Sequence, residues 1–126
     1  MTKKIVVVDD DPMIRMLVTD CLTALGHTVE PLEDATSCLS RLNPGENLPD
    51  ILVLDLIMPD MNGLEVLKLL RENPKTAGMH VIMLTANSDT EQVANSMNIK
   101  ANYYLAKPFN MKTLMDALAG ASSIHE

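Results

Sequence analysis

Four short apolar runs constrain the fold of this chain more than any other feature. They occupy Ile5–Val8, Ile51–Leu54, Val81–Leu84 and Tyr103–Ala106. The first three are almost continuous in valine, isoleucine, leucine and methionine, and such strands are typical of a parallel sheet covered by helices on both faces. A weaker strand is predicted at Thr28–Leu32, where Pro31 favours an edge position because proline cannot donate a ladder hydrogen bond.

Helical spacing of apolar residues fills the intervals between these strands. The predicted helices run from Pro12 to Leu25, from Asp34 to Leu42, from Asn62 to the residues before Pro74, from Ser88 or Asp89 to about Asn98, and from Asn110 to near Ala119. Five strands alternating with five helices through right-handed crossovers predict an α/β fold. The sheet would be five-stranded, parallel and doubly wound, of the flavodoxin-like (βα)5 type with strand order 2-1-3-4-5.

The length and charge of the chain narrow its possible functions. A chain of 126 residues fits a single domain, 1–126. No apolar run approaches the roughly 20 residues that span a bilayer, so we expect a cytoplasmic protein without membrane insertion. The formal net charge of −7 disfavours direct nucleic-acid binding, since phosphates select clustered lysine and arginine. Cys21 and Cys38 lack metal-ligand spacing and are predicted to be free thiols.

Polar residues follow four of the five predicted strands. Asp9, Asp10 and Asp11 come after the first strand, Asp55 after the third, Thr85 after the fourth and Lys107 after the fifth. Ligands of open α/β sheets bind outside the carboxyl ends of the strands. These side chains therefore mark the candidate functional site.

Three of the carboxylates, those of Asp9, Asp10 and Asp55, are expected to converge if the first and third strands are neighbours. At an effective dielectric constant of about 20, two unit charges about 4 Å apart repel by roughly 4 kcal/mol. Such a cluster must hold protons or bind a cation. Oxygen ligands in this number favour Mg²⁺, with Mn²⁺ also possible. The alternative is a solvated acidic edge without a metal.

Lys107 and Thr85 at the same edge can hold an anion above such a metal. A carboxylate beside Mg²⁺, a lysine and a hydroxyl form a phosphoryl-transfer site, where catalysis is mostly positioning and charge neutralisation. Asp55 is the favoured nucleophile because it ends the central strand of the three. Taken alone, Lys107 could be a surface lysine and Thr85 a capping threonine.

Whole blocks of sequence, beyond these single residues, resemble the receiver domains of bacterial response regulators in two-component signalling. The blocks are IVVVDDD at 5–11, ILVLDLIMPDMNG at 51–63, MLTA at 83–86 and YYLAKPF at 103–109. The resemblance runs from about Lys4 to Ala119, nearly the whole chain, and is to stand-alone chemotaxis-type regulators in particular.

The resemblance implies a role for each residue of the acidic group. Asp55 would be the phosphoacceptor. It would coordinate Mg²⁺ together with Asp10 and the backbone carbonyl of Ile57, while Asp9 would act through a metal-bound water. Asn87 and Ile57 lie beside the acceptor, and Ile57 has no polar group to orient an attacking water, which implies slow self-dephosphorylation.

The resemblance also implies a switch. Lys107 would pair with Asp55 or with the phosphoryl oxygens, and its peptide bond to Pro108 would be cis. Thr85 would move toward the phosphoryl group and donate its hydroxyl, and Tyr104 would enter the space that Thr85 leaves. The signal would appear on the face made by the fourth helix, the fifth strand and the fifth helix. One departure is Lys100, which stands where a glycine is common and would be strained if φ there were positive.

The implied function is that of a phosphoacceptor response regulator of a two-component or phosphorelay system. It would be no enzyme beyond its own phosphorylation and dephosphorylation. A histidine kinase or a histidine phosphotransfer protein would donate the phosphoryl group, and an unidentified protein would be the downstream target. We favour a stand-alone regulator over a receiver cut from a longer multidomain chain.

Two other functions are alternatives. Asp9 and Asp11 after the first strand also resemble the opening motif of haloacid-dehalogenase-like aspartate phosphatases, which would use Asp9 as the nucleophile. Met13 departs from that motif, and Asp55 would be left without a role. A scaffold receiver that never turns over phosphate is the non-catalytic alternative, although all the expected site residues are present.

Overall fold

The computed structural model of the protein describes residues 2–86 and 89–123. Its strands are β1 (Lys4–Val8), β2 (Thr28–Leu32), β3 (Ile51–Asp55), β4 (His80–Thr85) and β5 (Tyr103–Ala106). They form a parallel sheet in the order β2-β1-β3-β4-β5, which confirms the predicted fold class and strand order. β2 lies at the edge beside β1, where Pro31 predicted it to be.

The helices described are α1 (Pro12–Ala24), α2 (Ala35–Leu42), α3 (Gly63–Glu72), α4 (Thr90–Ser96) and α5 (Met111–Ser123). Local side chains fix where three of them begin. Asp11, Asp34 and Asn62 each accept a backbone N–H from the first turn of the helix that follows. A capping bond of this kind typically stabilises a helix by about 1 kcal/mol.

Two apolar cores cover the two faces of the sheet. Leu52 and Leu54 of β3 pack in the core that β3 shares with α2, α3 and α4, whereas Val53 packs in the core shared with α1 and α5. All three side chains are fully buried, and each contributes about 1.5–3 kcal/mol relative to an exposed position. Because both faces of β3 are covered, neither needs polar residues, and the apolar run is continuous.

Helix bounds near the carboxyl terminus differ from the prediction. α4 ends at Ser96 rather than near Asn98, which has a φ of 59° and turns the chain. Asparagine tolerates that conformation well, and Lys100 is not among the positive-φ residues of the described chain. α5 continues past Ala119 to Ser123. Its last turn consists of small residues that carry no apolar pattern, so the sequence did not predict it.

The described part of the chain contains no helix with the length and apolar character that crossing a membrane requires.

Gly63 allows α3 to begin very close to the end of β3. A Cβ atom at this position would lie 2.5 Å from the carbonyl oxygen of Asp55 and 2.9 Å from Cα of Leu56. The Gly63 N–H donates to the Leu56 carbonyl at 2.6 Å. The clashing atoms belong to the backbone and cannot turn aside, so the missing side chain at Gly63 helps to position Asp55.

We expect the substitution Gly63→Ala to lower the free energy of unfolding by about 1–3 kcal/mol, the usual cost of overpacking. Gly78→Ala is the matched control, since a Cβ atom there meets nothing within 4 Å. Urea denaturation followed by circular dichroism measures both effects. Equal stability of the two variants would show that the close approach at Gly63 carries no energetic weight.

Candidate functional site

The carboxyl ends of β1, β3, β4 and β5 bring the predicted site residues together at one edge of the sheet. Asp9 follows β1, Asp55 and Thr85 end β3 and β4, and Lys107 follows β5. These four strands are consecutive neighbours in the sheet. The sheet order thus gathers residues that lie up to 98 positions apart in the chain.

Three carboxylates form the acidic part of this site. Asp9 is fully buried, Asp55 is 5% exposed and Asp10 is exposed. Each offers a carboxylate oxygen, and the three oxygens lie within 4.8 Å of one another. Two oxygens bound to the same Mg²⁺ lie about 3–4 Å apart, given bond lengths of about 2.0–2.1 Å. The oxygens are all acidic and lie close together, so the donor set fits Mg²⁺ in its chemistry.

Lys107 is the cation of the site. Its Nζ atom lies 2.8 Å from Oδ1 of Asp55 and 3.3 Å from Oδ2 of Asp9. The Lys107–Pro108 peptide is cis, as the resemblance implied. One ammonium group thus contacts two of the three carboxylates.

Burial has the largest effect on the pKa of the Asp55 carboxyl. It raises the pKa of this carboxyl to about 6, an effect that the hydrogen bond from Lys107 opposes and the charges of Asp9 and Asp10 reinforce. Burial alone would lower the pKa of Lys107, but the hydrogen bond and ion pair with Asp55 and the charge of Asp9 raise it instead. At neutral pH the site therefore holds an ionised Asp55 in surroundings that disfavour its negative charge.

Backbone contacts fix the loop that carries Asp9 and Asp10. Oδ1 of Asp9 accepts the Asp11 N–H at 2.9 Å, and the carbonyl of Asp9 accepts a hydrogen bond from Nη1 of Arg15 at 2.7 Å. Arg15 was not among the predicted site residues. Its one sequence signal is a cation in the first turns of a helix, where the helix dipole favours acidic residues.

The hydroxyl of Thr85 is part of a buried pair. Thr85 Oγ1 and Thr90 Oγ1 are 2.6 Å apart, and either atom could be the donor. Thr90 begins α4, so this contact joins the end of β4 to the helix that follows. Thr90 was not among the predicted site residues, because a threonine at the start of a helix is indistinguishable from an ordinary capping residue.

Tyr104 lies on the face of the sheet that α2, α3 and α4 cover. It is half-buried against that core, and its register partner on β4 is Met83, two residues before Thr85. Its hydroxyl oxygen accepts the backbone N–H of Ala101 at 3.0 Å. The structure thus places Tyr104 on the strand next to that of Thr85, as the strand order predicted, and on the same face of the sheet.

The loop before β5, to which Tyr104 is bonded, is held by Arg71 of α3. The Arg71 guanidinium donates to the carbonyls of Lys100, Ala77 and Met79 and to Oδ1 of Asn102. That Asn102 oxygen also accepts the N–H of Val81 at 2.8 Å. These contacts tie the loop to α3 and to the start of β4.

Ile57 lies two residues after Asp55 in the chain. Ile57 is 68% exposed, so its apolar side chain faces solvent beside the acidic group. Asn87, predicted to influence the lifetime of the phosphoryl group, and Ser88, a predicted helix start, lie outside the described residues.

Asp60 was not among the predicted site residues. It connects the loop after Asp55 to α2, because its carboxylate accepts hydrogen bonds from Ala35 and Thr36.

Comparison of the sequence with known protein families gives a match over residues 5–119 to the family described as response regulator receiver domain. The DNA-binding response regulator MtrA of Mycolicibacterium smegmatis is 36% identical over 115 residues, which cover 91% of this chain and 48% of that relative. The phosphate regulon transcriptional regulatory protein PhoB of Klebsiella pneumoniae is 35% identical, with coverage of 91% and 49%. The chain spans about half the length of these curated relatives.

Solved structures show the same fold. The chemotaxis response regulator CheY4 of Vibrio cholerae superimposes with a TM-score of 0.85 at 29% sequence identity, over 96% of this chain and 99% of that chain.

The raised pKa of Asp55 predicts a stability effect with a definite sign. Folding favours the protonated carboxyl, so its contribution is complete below pH 3.8 and is lost as the pH rises through about 6. We therefore expect Asp55→Asn to raise the free energy of unfolding at pH 7 without Mg²⁺. The gain should be about 1–3 kcal/mol, because the net shift of about two pKa units, which already includes the effect of Lys107, corresponds to at most about 3 kcal/mol.

Chemical denaturation at pH 7 and at pH 4 in the presence of a chelator tests this effect, and the gain should shrink at pH 4. Asp116→Asn, in the exposed pair with Lys112, is the control and should change stability by less than about 0.5 kcal/mol. A destabilised Asp55→Asn variant at pH 7 would contradict the prediction.

Proposed function

The chain belongs to the response regulator receiver domain family, and from this membership we propose that it accepts a phosphoryl group on Asp55 in a Mg²⁺-dependent reaction. The observation that carries the proposal is the geometry at Asp55. Its carboxylate lies 2.8 Å from Lys107 and within 4.8 Å of oxygens from Asp9 and Asp10. An ionised, buried carboxylate beside a lysine and a cation-binding group is suited to attack phosphorus.

The proposed reaction moves a phosphoryl group from a phosphohistidine of a histidine kinase or a histidine phosphotransfer protein. A carboxylate oxygen of Asp55 forms a bond to phosphorus as the bond between phosphorus and the histidine nitrogen breaks. The electron pair of that bond stays on the nitrogen, which takes up a proton. Lys107 stabilises the charge on the phosphoryl oxygens, and the Thr85 hydroxyl donates to one of them.

The metal ligands that we propose are the side chains of Asp10 and Asp55 and the backbone carbonyl of Ile57, with Asp9 acting through a bound water. When bound, Mg²⁺, or Mn²⁺ in its place, neutralises the carboxylates and the incoming phosphoryl group. The burial of Asp9 and its two contacts, with Lys107 and with the Asp11 N–H, support an indirect role for it.

We propose that the phosphoryl group is read out on the face formed by α4, β5 and α5. Thr85 contacts Thr90 of α4, so withdrawal of the Thr85 hydroxyl toward a phosphoryl group would act on α4 directly. Tyr104 on β5 would then enter the space that Thr85 leaves. This face would bind an unidentified downstream protein, and the domain would be no enzyme beyond its own phosphorylation and dephosphorylation.

The setting of the domain is also a proposal. A cytoplasmic, stand-alone regulator without direct contact to nucleic acid is one form. The alternative, a receiver from a longer regulator, is supported by the curated relatives, whose names describe DNA-binding and transcriptional regulators about twice as long.

The phosphatase alternative, with Asp9 as the nucleophile, has weaker support. Both oxygens of Asp9 are engaged, one with the Asp11 N–H and one with Lys107, and its side chain is fully buried. Asp55 retains some exposure.

Incubation with acetyl phosphate and Mg²⁺ should place one acyl phosphate on Asp55. Mass spectrometry of the digested protein locates the group, and Asp55→Asn should abolish it. Asp116→Asn, a surface carboxylate on α5, should leave it unchanged. An acyl phosphate on Asp9 would favour the phosphatase function, and no acyl phosphate at all would favour a scaffold.

The switch role of Tyr104 predicts a spectroscopic difference between two neighbouring tyrosines. Beryllofluoride with Mg²⁺ should shift the amide NMR signals of Thr85, Tyr104 and Ala101 in the unchanged protein. In Tyr104→Ala the response at Ala101 should be lost, because the hydroxyl that accepts its N–H is gone.

Tyr103→Ala is the matched control, since Tyr103 packs in the opposite core with α1 and α5. It should leave the beryllofluoride response at Ala101 intact. If both variants respond alike, or if Tyr104→Ala leaves phosphorylation-dependent binding of a partner unchanged, Tyr104 does not report the switch.

A further inference from the structure

We propose that Arg15 is a positioning residue for the metal-binding loop: its guanidinium fixes the peptide between Asp9 and Asp10 and thereby sets the Asp10 carboxylate in place for Mg²⁺. The inference rests on the proposed Mg²⁺ site and adds a residue to it that does not touch the ion. Arg15 lies in α1, one helical turn after the loop, and its side chain is partly buried.

Asp10 depends on its backbone more than the other two carboxylates do. Asp9 is held by Lys107 and by the Asp11 N–H, and Asp55 is held by Lys107. Asp10 is exposed, and its carboxylate has no hydrogen bond or ion pair among those found in residues 2–86 and 89–123. The torsion angles on either side of the Asp9–Asp10 peptide therefore set the point from which this side chain starts, and its own side-chain torsions are held by none of these contacts.

Arg15 holds the carbonyl of that peptide. The distance from Nη1 of Arg15 to the carbonyl oxygen of Asp9 is 2.7 Å, which is short for a bond from a charged donor. The Asp9 N–H is bonded on the other side to the carbonyl of Leu32 at 3.2 Å. The Leu32 bond holds the peptide before Asp9, and the Arg15 bond holds the peptide after it. The Asp9–Asp10 peptide therefore cannot rotate without losing the Arg15 bond, and Asp10 moves with that peptide.

The position of Arg15 near the start of α1 is electrostatically unfavourable unless the side chain has such a role. It lies at the start of α1, whose first turn contains no acidic residue, and the helix dipole places partial positive charge there. Its guanidinium contacts a neutral carbonyl and is absent from the ion pairs found in the described ranges, although three carboxylates are nearby. The arginine thus supports the loop and leaves the acidic oxygens to a metal.

Charge and positioning predict opposite effects when Arg15 is removed. If Arg15 acted only as a positive charge near the site, its removal would strengthen Mg²⁺ binding, because a repulsive charge is lost. If it positions Asp10, its removal weakens Mg²⁺ binding despite that gain. Loss of groups that orient metal ligands usually weakens metal affinity by about 10–100-fold, and we expect a value near the lower end.

The test is calorimetric titration of the full chain with MgCl2 for the unchanged protein and for Arg15→Met, Arg15→Gln and Arg15→Lys. Arg15→Met should raise the Kd about tenfold, and Arg15→Lys should recover part of the loss because its ammonium can still donate. Arg41→Met is the matched control. Arg41 is a partly buried arginine that also donates to loop carbonyls, those of Glu46 and Asn47, and it should leave the Kd unchanged.

A second readout separates positioning from general damage. With acetyl phosphate, the Mg²⁺ concentration that gives half the maximal phosphorylation rate should rise in Arg15→Met, while the rate at saturating Mg²⁺ should recover to that of the unchanged protein. A lower rate at saturation with an unchanged half-saturating concentration would overturn the proposal.

The remaining outcomes are also decisive. An equal or lower Kd in every folded Arg15 variant overturns the positioning role, and if Arg15→Met fails to fold, Arg15→Gln and Arg15→Lys supply that comparison. Failure of the unchanged protein to bind Mg²⁺ is a different result, since it overturns the proposed function itself.

Discussion

The mutual repulsion of three carboxylates at the ends of β1 and β3 is the constraint on which the rest of the site depends. Water would screen these charges at an open surface, but Asp9 and Asp55 are buried. Burial weakens the screening and raises the pKa of Asp55 to about 6. This arrangement therefore lowers the stability of the domain, a bound cation can relieve it, and Lys107 partly offsets the repulsion through its contacts with Asp9 and Asp55.

The supporting residues are explained by the same constraint. Gly63 lets α3 approach the backbone of Asp55, and the Arg15 bond to the Asp9 carbonyl holds the adjacent loop. Neither contact would matter for a solvated acidic edge, whose side chains are free to move apart. They matter where oxygens must lie within 4.8 Å of one another while repelling, because small backbone shifts would separate them.

The sheet and the acidic site could be predicted from the sequence because both follow from periodicity. Continuous apolar runs define buried parallel strands, and the residue after each run falls at the same edge, so Asp55 and Lys107 could be found together. Arg15 and Thr90 could not, because their roles depend on where single side chains reach in three dimensions and no pattern marks them. The predicted ends of α4 and α5 were wrong because Asn98 and the small residues after Ala119 carry no hydrophobic signal.

The bond between the Tyr104 hydroxyl and the Ala101 N–H has a consequence for background signalling. Ala101 lies between Lys100 and Asn102, which Arg71 holds to α3. If the Tyr104 hydroxyl moves away, the Ala101 N–H therefore stays in place. Departure of the tyrosine leaves a nearly buried N–H behind. A neutral hydrogen bond contributes about 1 kcal/mol, roughly a fivefold change in population. In the switch that we propose, the fraction of unphosphorylated molecules in the signalling state would therefore be set in part by this one hydrogen bond, at the opposite end of β5 from Asp55.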